Sequence, residues 1–416
     1  MLMSVSYGPD SIKKTQITVV NKKPFVDDYE TIERKGVGHP DTIADALAAK
    51  ISLEYSKYTL NHCDDLILHH QVDKVMVIGG KTEVSFGKGR FIEPIKIIVA
   101  GRASNSYQGK KIPVDDIVKS AVKGYFGILF PMLKFSKDYI VLNNLTSYAG
   151  PGTIASSKGA IANMFTPKNN REVRGYERLV ANDTSYCIAY SPYSKLEFAV
   201  LEIEKFLNSR NTKQKYPWLG SDIKIMAFRN QNIVSITSCI PQIAKYVKSL
   251  DAYKQNLDQI GKTIYKKFSY YLPKYKVSIS LNTKDDYEKM NVYLTVTGSS
   301  LSGDIGVTGR GNRSNGIITS NRPMSMEGTN GKNPRYYSGF VYAVLTKNLS
   351  NEIFKKTGKE NVVEIVSQNG GLLSEPWKVR IITKADKNTV LNVVENGLKN
   401  INFITDDFIK GKLVNY

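Results

Sequence analysis

The amino-acid sequence predicts an α/β (α+β) protein of three pseudo-symmetric units, each a sheet covered by helices on one face. Three observations predict this fold class. The chain has 416 residues, which suits roughly two or three domains. Its composition, 41% hydrophobic and 23% charged, is typical of a globular protein. Strand and helix patterns also recur in the order β-α-β-β-α-β along each third of the chain.

We place the units at residues 15–145, 146–285 and 286–416, with approximate boundaries, and allow the units to interleave. In the first unit, apolar residues at helical spacing between Ile43 and Tyr58 predict a helix over 42–59. The other elements predicted there are strands at 66–78, 82–86, 92–101 and 138–143 and a helix at 115–130.

The second and third units repeat this order. In the second, Ser194 and Glu197 stand at capping-box spacing before a predicted helix at 195–208. Its other predicted elements are strands at 185–190, 222–228, 232–239 and 276–281 and a helix at 252–270. The third unit is predicted to contain strands at 291–297, 361–367 and 377–384 and helices at 336–356 and 387–398.

The net charge of +20 raises the question of a nucleic-acid partner, but no other feature of the sequence supports one. The 58 lysine and arginine residues are scattered, in pairs such as Lys110-Lys111, and form no basic block. The sequence carries no RNP-type, helix-turn-helix or zinc signature. We therefore expect no nucleic-acid partner and assign most of these lysines to solvated faces.

Targeting and membrane signals are also missing. The segment from Met1 to Lys14 has no apolar core of a secretory signal, and no run approaches the roughly 20 apolar residues of a membrane span. Three isolated cysteines, Cys63, Cys187 and Cys239, suggest neither a disulfide framework nor a zinc site. We expect a cytoplasmic protein with no membrane partner.

The densest chemical signal is the glycine-rich segment GDIGVTGRGNRSNG at 303–316. Its glycines let the backbone approach a ligand closely. Arg310 and Arg313 offer bidentate donors to phosphate oxygens, and Asp304 can hold a divalent cation that neutralises the same oxygens. A surface turn with charged tips is the alternative. The combination favours a phosphate site.

A second signal is the segment ERKGVGHPD at 33–41. Pro40 suits the first position of the helix predicted to follow, which puts His39 and Asp41 at a helix N-terminus, where amide groups favour anions. Asp41 can also carry a metal ion next to bound phosphates. An ordinary helix start, with Asp41 acting only as a cap, remains the alternative.

Two further groups complete the candidates. His69 and His70 are adjacent in a predicted strand and point to opposite faces, so we expect packed or hydrogen-bonded histidines and no shared metal. Asp222 and Lys224 alternate onto one face at the start of another predicted strand, where they can meet a ligand together.

In this order, these segments resemble the archaeal-type S-adenosylmethionine synthetases, also called methionine adenosyltransferases. The matching segments are ERKGVGHPDTIAD at 33–45, HHQVDKVMVIGG at 69–80, ANDTS at 181–185, DIKIM at 222–226, TVTGSSLSGDIGVTGRGNRSNGIITSNRPMSME at 295–327 and GKNP at 331–334. The resemblance runs from about residue 15 to the C-terminus. It implies three pseudo-symmetric α/β units and a homodimer with active sites between the subunits.

The resemblance also implies the reaction: the sulfur of L-methionine attacks C5′ of ATP and expels triphosphate, which is then hydrolysed to phosphate and diphosphate. Such chemistry needs charge neutralisation and in-line positioning more than a base. The implied cofactor is Mg²⁺, with K⁺ as a second candidate cation.

Residue roles follow from the same resemblance. His39 would contact the triphosphate near the leaving oxygen, and Asp41 would bind Mg²⁺. Lys224, Arg310 and Lys332 would hold phosphates, with Arg313 as an additional phosphate ligand. Asp222 and Asp304 would contact ribose, methionine or metal. The remaining residues expected to bind ATP or substrate are Glu33, Gly150, Gly152, Thr153 and Ala155.

Two departures from the family pattern keep other functions open. Ala155 stands where the family carries an acid, and Phe340 replaces a lysine after GKNP. The second alternative is therefore a divergent enzyme of the same fold that uses another nucleophile or only cleaves triphosphate from ATP. The third alternative is a non-catalytic paralogue that partners a true synthetase.

Overall fold

The structure, a computed structural model, describes residues 14–24, 27–148, 164–174 and 179–413. The helices are α1 (Pro40–His62), α2 (Val114–Leu129), α3 (Asn170–Arg174), α4 (Lys195–Leu207), α5 (Arg210–Lys215), α6 (Leu250–Tyr271), α7 (Ser338–Thr357), α8 (Lys387–Lys399) and α9 (Phe403–Ile409).

The strands are mostly short. In chain order they are β1 (Gln16–Asn21), β2 (Tyr29–Lys35), β3 (His70–Ile78), β4 (Thr82–Ser85), β5 (Lys88–Phe91), β6 (Ile95–Ala103), β7 (Ser106–Tyr107), β8 (Lys110–Lys111), β9 (Tyr139–Thr146), β10 (Tyr186–Ser191), β11 (Lys224–Asn230), β12 (Ile233–Cys239), β13 (Gln242–Ile243), β14 (Lys276–Leu281), β15 (Leu294–Thr295), β16 (Ile305–Val307), β17 (Ile318–Thr319), β18 (Asn361–Val366) and β19 (Lys378–Thr383).

Three mixed sheets share one pattern. Sheet A has the order β1-β19-β18-β10, sheet B has β14-β12-β11-β2-β17, and sheet C has β16-β3-β6-β9. In each sheet the neighbouring strands are antiparallel except at one edge, where β1, β14 or β9 pairs in parallel. The repeated arrangement explains why the sequence shows three similar units.

Each sheet buries one face under helices. Sheet A is covered by α7, against which α8 packs, sheet B by α4 and α6, and sheet C by α1 and α2. The apolar side chains between each sheet and its helices form a separate core cluster. Alternation of buried and exposed residues along β12 shows that the opposite face of sheet B is left open.

The architecture confirms the predicted fold class, and many predicted elements lie within a few residues of the observed ones. The capping box of Ser194 and Glu197 is present at the start of α4. Each sheet nevertheless takes strands from more than one third of the sequence: β2 joins sheet B, β10 joins sheet A, and β16 joins sheet C. The predicted limits therefore describe the order of elements and not the membership of the sheets.

No helix in the described part of the chain combines the length and apolar character needed to cross a bilayer.

Candidate active site

The candidate site lies at one end of sheet B, on its open face. The C-terminal end of β2 and the start of β11 lie side by side, with Lys35 directly opposite Lys224. Cys239 of β12 is the next residue in the same row. Glu33 lies between the two lysines, and its Oε1 is 3.2 Å from Lys224 Nζ. The strand ends thus gather two cations around one carboxylate.

The chain leaves β2 and enters α1 through His39. The helix begins at Pro40, as predicted, and the His39 side chain caps it by accepting the Asp41 N–H at Nδ1, 3.1 Å away. Burial lowers the pKa of His39, against the opposing effect of Asp222 and Asp41. The ring is therefore neutral near pH 7, with its proton on Nε2 and available for donation to a ligand.

Two glycines allow the loops of the site to touch. A Cβ added at Gly38 would lie 2.2 Å from Ser221 Oγ, and one added at Gly306 would lie 2.0 Å from the carbonyl carbon of Pro40. Gly38 therefore brings the loop before α1 against the segment before β11. Gly306 brings β16 against the first turn of α1. Any side chain at these positions would separate the loops.

Asp41 links the start of α1 to the glycine-rich segment. Its Oδ1 accepts the Val307 N–H at 3.0 Å, and its Oδ2 accepts Lys35 Nζ at 2.9 Å. Burial raises the pKa of Asp41, but the hydrogen bonds from Lys35 and Val307 outweigh it and hold the pKa below its usual value. Asp41 is therefore ionised at neutral pH.

Asp45, one helical turn after Asp41, anchors the same segment. Its carboxylate accepts the backbone N–H groups of Gly309 at 2.8 Å and Gly311 at 3.2 Å. Burial raises its pKa to about 6, against these hydrogen bonds. We did not assign Asp45 a role from sequence. The i, i+4 spacing from Asp41, which puts both carboxylates on one helix face, is the signal that could have identified it.

A cavity of about 500 Å³ opens beside these groups. Among its lining residues are His39, Asp222, Lys224, Ser300 and Asp304. Asp222 is buried, and its Oδ2 accepts two hydrogen bonds from Ser300. The backbone N–H of Ser300 donates at 2.9 Å and its hydroxyl group donates at 2.6 Å. Burial raises the pKa of Asp222, and the neighbouring His39 opposes this shift.

A second wall of the cavity was missed by the sequence analysis. It consists of Asn282, Thr283, Lys284, Asp285, Asn291, Val292 and Tyr293. Tyr253 supports this wall, because its hydroxyl donates to Asp285 Oδ2 at 2.7 Å. Tyr293 OH in turn donates to Asp222 Oδ2 at 3.0 Å. No motif marks these residues, since their role depends on how the segment after β14 folds back over sheet B.

The two arginines of the glycine-rich segment take different positions. Arg310 is exposed, and its carbonyl oxygen lies 2.6 Å from Lys35 Nζ. Arg313 is half-buried and donates through Nη2 to the Gly309 carbonyl at 2.8 Å. Arg310 therefore has its side chain available to a ligand, whereas Arg313 braces the loop.

Lys332 is not gathered with the other predicted residues. It bridges to Gln71 near the start of β3, whereas Ile305 pairs with Ile78 at the far end of that strand. The two ends of β3 are about 20 Å apart at the usual strand rise. The Lys332 ammonium pairs with Glu327 and lies 4.8 Å from the centre of the Tyr337 ring.

Among the other predicted residues, Gly150, Gly152, Thr153 and Ala155 lie outside the described part of the chain. The two adjacent histidines are both buried. His70 Nε2 lies 2.8 Å from Ser52 Oγ, and His69 Nδ1 contacts the hydroxyl of Tyr336. Burial lowers the pKa of His70 to about 4 and that of His69 to about 3, so both rings are neutral and belong to the packing of β3.

The carboxylates of the site fit a magnesium ion. Within the described ranges, no three His, Cys, Asp or Glu side chains form a metal site by themselves. Mg²⁺, however, typically takes one or two protein carboxylates and completes its coordination with water and substrate phosphates. Asp304 is exposed at the cavity, and Asp41 Oδ2 already binds a cation, the Lys35 ammonium.

Comparisons with known proteins identify the family of the chain. The family model described as S-adenosylmethionine synthetase (AdoMet synthetase) matches residues 12–412. An S-adenosylmethionine synthase of Thermoplasma acidophilum is 35% identical over 400 residues, covering 93% of this chain and 95% of the relative. One from Pyrobaculum aerophilum is 36% identical over 405 residues, covering 93% of this chain and 96% of the relative.

A solved structure shows the same fold. It is described as an unusual S-adenosylmethionine synthetase from Campylobacter jejuni, and it aligns with a TM-score of 0.51 at 16% identity, covering 91% of this chain and 88% of that one. The sequence matches span nearly the whole chain on both sides. The chain therefore belongs to the S-adenosylmethionine synthetase family.

Proposed function

We propose that the protein is a methionine adenosyltransferase that converts ATP, L-methionine and water to S-adenosylmethionine, phosphate and diphosphate. The observation that carries the proposal is the cavity in which His39, Asp222, Lys224 and Asp304 converge beside the glycine-rich segment. Family membership supports this reaction, and the cavity supports the choice of these residues.

The sulfur of methionine would attack C5′ of ATP, forming the C–S bond as the C5′–O bond breaks and triphosphate leaves. The protein's task is to stabilise charge on the leaving oxygens. His39 would donate from Nε2, and Lys224 would supply a positive charge from the adjacent strand. Arg310 extends from the glycine-rich segment. Methionine sulfur is a neutral nucleophile, so no proton has to be removed from it.

Asp41 and Asp304 would hold Mg²⁺, which supplies positive charge to phosphate oxygens when it is bound. K⁺ is proposed as a second cation, to be tested by its omission. Asp222, buried and held by Ser300 and Tyr293, is suited to accept hydrogen bonds from ribose hydroxyls. Because ATP and L-methionine are cytoplasmic metabolites, we also propose a cytoplasmic location.

We further propose a homodimer formed through the open faces of sheets B and C. Exposed apolar side chains lie on both faces: Tyr29, Phe228 and Ile233 on sheet B, and Met76, Leu142 and Ile305 on sheet C. Such patches typically mark protein interfaces. We propose a second copy as the partner, because Lys332 lies about 20 Å along β3 from the glycine-rich segment and would therefore contribute to an active site across an interface.

The test is incubation of the purified protein with ATP, L-methionine, Mg²⁺ and K⁺, followed by chromatographic detection of S-adenosylmethionine and phosphate. Formation of S-adenosylmethionine and phosphate only when both methionine and ATP are present would support the proposal. A folded protein that binds ATP but forms no adduct would overturn it. Omitting each component in turn assigns the cation requirement in the same series.

A second candidate function follows from Phe340. This residue is buried in α7 and packs against Phe408 of α9 with ring centres 5.3 Å apart, so the family's lysine is replaced by a core side chain. The loss of this cation favours a same-fold enzyme that uses another nucleophile or only releases triphosphate. Release of triphosphate without methionine would identify that activity.

A further inference from the structure

Lys35 is a charged residue of the site to which the sequence analysis gave no role. Its Nζ lies 2.9 Å from Asp41 Oδ2, 2.6 Å from the carbonyl oxygen of Arg310 and 3.9 Å from Glu33 Oε1. Only 12% of its side chain is exposed. One ammonium group thus connects three residues that the family resemblance places at the active site.

The position of Lys35 is fixed by its backbone. Its N–H donates to Asn312 Oδ1 at 3.0 Å, and its carbonyl accepts Asn312 Nδ2 at 2.8 Å. These two bonds attach the end of β2 to the glycine-rich segment. The ammonium is therefore held at Asp41 by the fold, unlike the mobile ammonium of a surface lysine.

This ammonium competes for the oxygen that a metal ion would need. Asp41 Oδ1 is occupied by the Val307 N–H, and Oδ2 is occupied by Lys35. A divalent ion and an ammonium on the same carboxylate oxygen would repel each other strongly in a partly buried site. A divalent ion that binds Asp41 through Oδ2 therefore requires Lys35 to leave.

We propose that Lys35 is a displaceable internal cation that neutralises Asp41 while the metal site is empty. Arrival of a divalent ion releases the ammonium from Asp41 and from the Arg310 carbonyl, which frees it to contact phosphate oxygens. Lys35 is a positioning residue in the empty site. The inference rests on the proposed function in one respect, the assignment of Asp41 as a metal ligand.

The test measures Mn²⁺ binding to the full chain by electron paramagnetic resonance, which counts free Mn²⁺, without ATP or methionine. Methionine at position 35 keeps most of the length of the side chain and removes its charge. Removing one partner of a buried ion pair leaves an uncompensated charge, so we expect Lys35→Met to bind one Mn²⁺ at least about tenfold more tightly than the wild type. Unchanged or weaker binding would overturn the proposal.

Two comparisons make the result specific. Lys262→Met removes a lysine from another lysine–aspartate pair, with Asp258 on α6, in which both side chains are largely exposed, and should leave Mn²⁺ binding unchanged. Combining Lys35→Met with Asp41→Asn should abolish the gain, and a gain that persists would place the ion elsewhere and contradict the proposal. Thermal melts check folding, and Lys35→Gln replaces the methionine variant if that variant does not fold.

Failure of this inference is distinct from failure of the proposed function. The binding assay contains neither substrate, so tighter Mn²⁺ binding by Lys35→Met stands even if no S-adenosylmethionine is formed. Conversely, an active wild-type enzyme whose Lys35→Met variant gains no Mn²⁺ affinity would retain the proposed function and lose this inference.

Discussion

At the scale of single residues, Asp45 shows how a buried carboxyl supports the glycine-rich segment at an energetic cost. Its pKa rises from 3.8 to about 6 because burial outweighs the hydrogen bonds from Gly309 and Gly311. At a pH between these two pKa values, Asp45 is protonated in the folded protein and ionised in the unfolded chain. Protonated Asp45 therefore stabilises the folded protein at low pH, and this stabilisation is lost as the pH rises through about 6.

We predict that Asp45→Asn removes this pH dependence. The shift of about two pKa units corresponds to about 3 kcal/mol. Relative to the variant, the wild type should thus lose about that much free energy of unfolding between pH 4 and pH 7. Urea unfolding of both proteins across this range measures the difference. Parallel curves for the two proteins would show that Asp45 does not titrate as described.

Arg310 gives a second prediction at this scale. Its side chain is exposed, while its backbone carbonyl is held by Lys35. If it stabilises the leaving triphosphate, Arg310→Ala should lower kcat/KM by about 100- to 1000-fold, the usual effect of removing one such donor. Arg90→Ala is the control, since Arg90 is 75% exposed on the β4–β5 hairpin and pairs with Glu83. Equal activity of both variants would remove Arg310 from the mechanism.

At the scale of elements, the sequence predicts those whose pattern is local. The strand at 276–281 is found with those bounds, and the predicted helices at 195–208 and 387–398 end within one residue of the observed ones. The strand predicted at 291–297 shrinks to Leu294–Thr295. The short strands β16 and β17 were missed because they exist only through pairing with distant strands.

The same distinction explains what was predicted of the site. The positions of His39 and Asp41 could be predicted because the local sequence around Pro40 indicates the start of a helix. Lys35 and the wall at 282–293 acquire their positions from contacts between segments far apart in the chain. Lys332 shows the converse: its motif is recognisable, but proximity in sequence to the glycine-rich segment does not bring it to the cavity.

The close contact between β16 and α1 yields a prediction for an element. Because Gly306 leaves no room for a Cβ against Pro40, Gly306→Ala should push β16 away from α1 and move the Val307 N–H off Asp41. We expect a loss of about 1–3 kcal/mol of stability, as for other overpacked sites, together with a large loss of activity.

Gly124→Ala provides the matched control for this substitution. A Cβ at Gly124, in α2, meets no atom within 4 Å outside the neighbouring backbone of its own helix. Alanine is favoured over glycine inside a helix by up to about 1 kcal/mol, so this variant should be as stable as the wild type or more stable. Thermal melts and activity assays compare both variants. Normal activity of Gly306→Ala would show that the contact with α1 does not matter for the site.

At the scale of the whole molecule, the three sheets are connected by exchange of strands. The strand β2 precedes α1, which covers sheet C, but pairs in sheet B. Likewise β10 precedes α4 of sheet B but pairs in sheet A, and β16 precedes α7 of sheet A but pairs in sheet C. The site lies where β2 passes between two of these sheets. Its loops are thus held from both sides by separate cores.

The net charge of the whole molecule can be compared with the charges at the site. The net charge of +20 suggested a polyanionic partner, yet the site uses few cations: Lys35 and Lys224 pair with carboxylates, and Arg310 is exposed. Total charge is therefore a poor guide to the ligand. The open sheet faces are a better guide to a protein partner, because each carries several exposed apolar side chains among its polar ones.

The last prediction concerns these faces. Phe228, 42% exposed, contacts the ring of Tyr29 on the open face of sheet B, with ring centres 5.8 Å apart. Phe228→Lys should put a charge into the proposed dimer interface and shift the protein towards monomer in sedimentation analysis. Ile128→Lys is the control, because Ile128 is 85% exposed on α2, away from the open faces. If the active site needs residues from both subunits, the monomeric Phe228→Lys variant should also be inactive, whereas an active monomer would show that one chain is sufficient for catalysis.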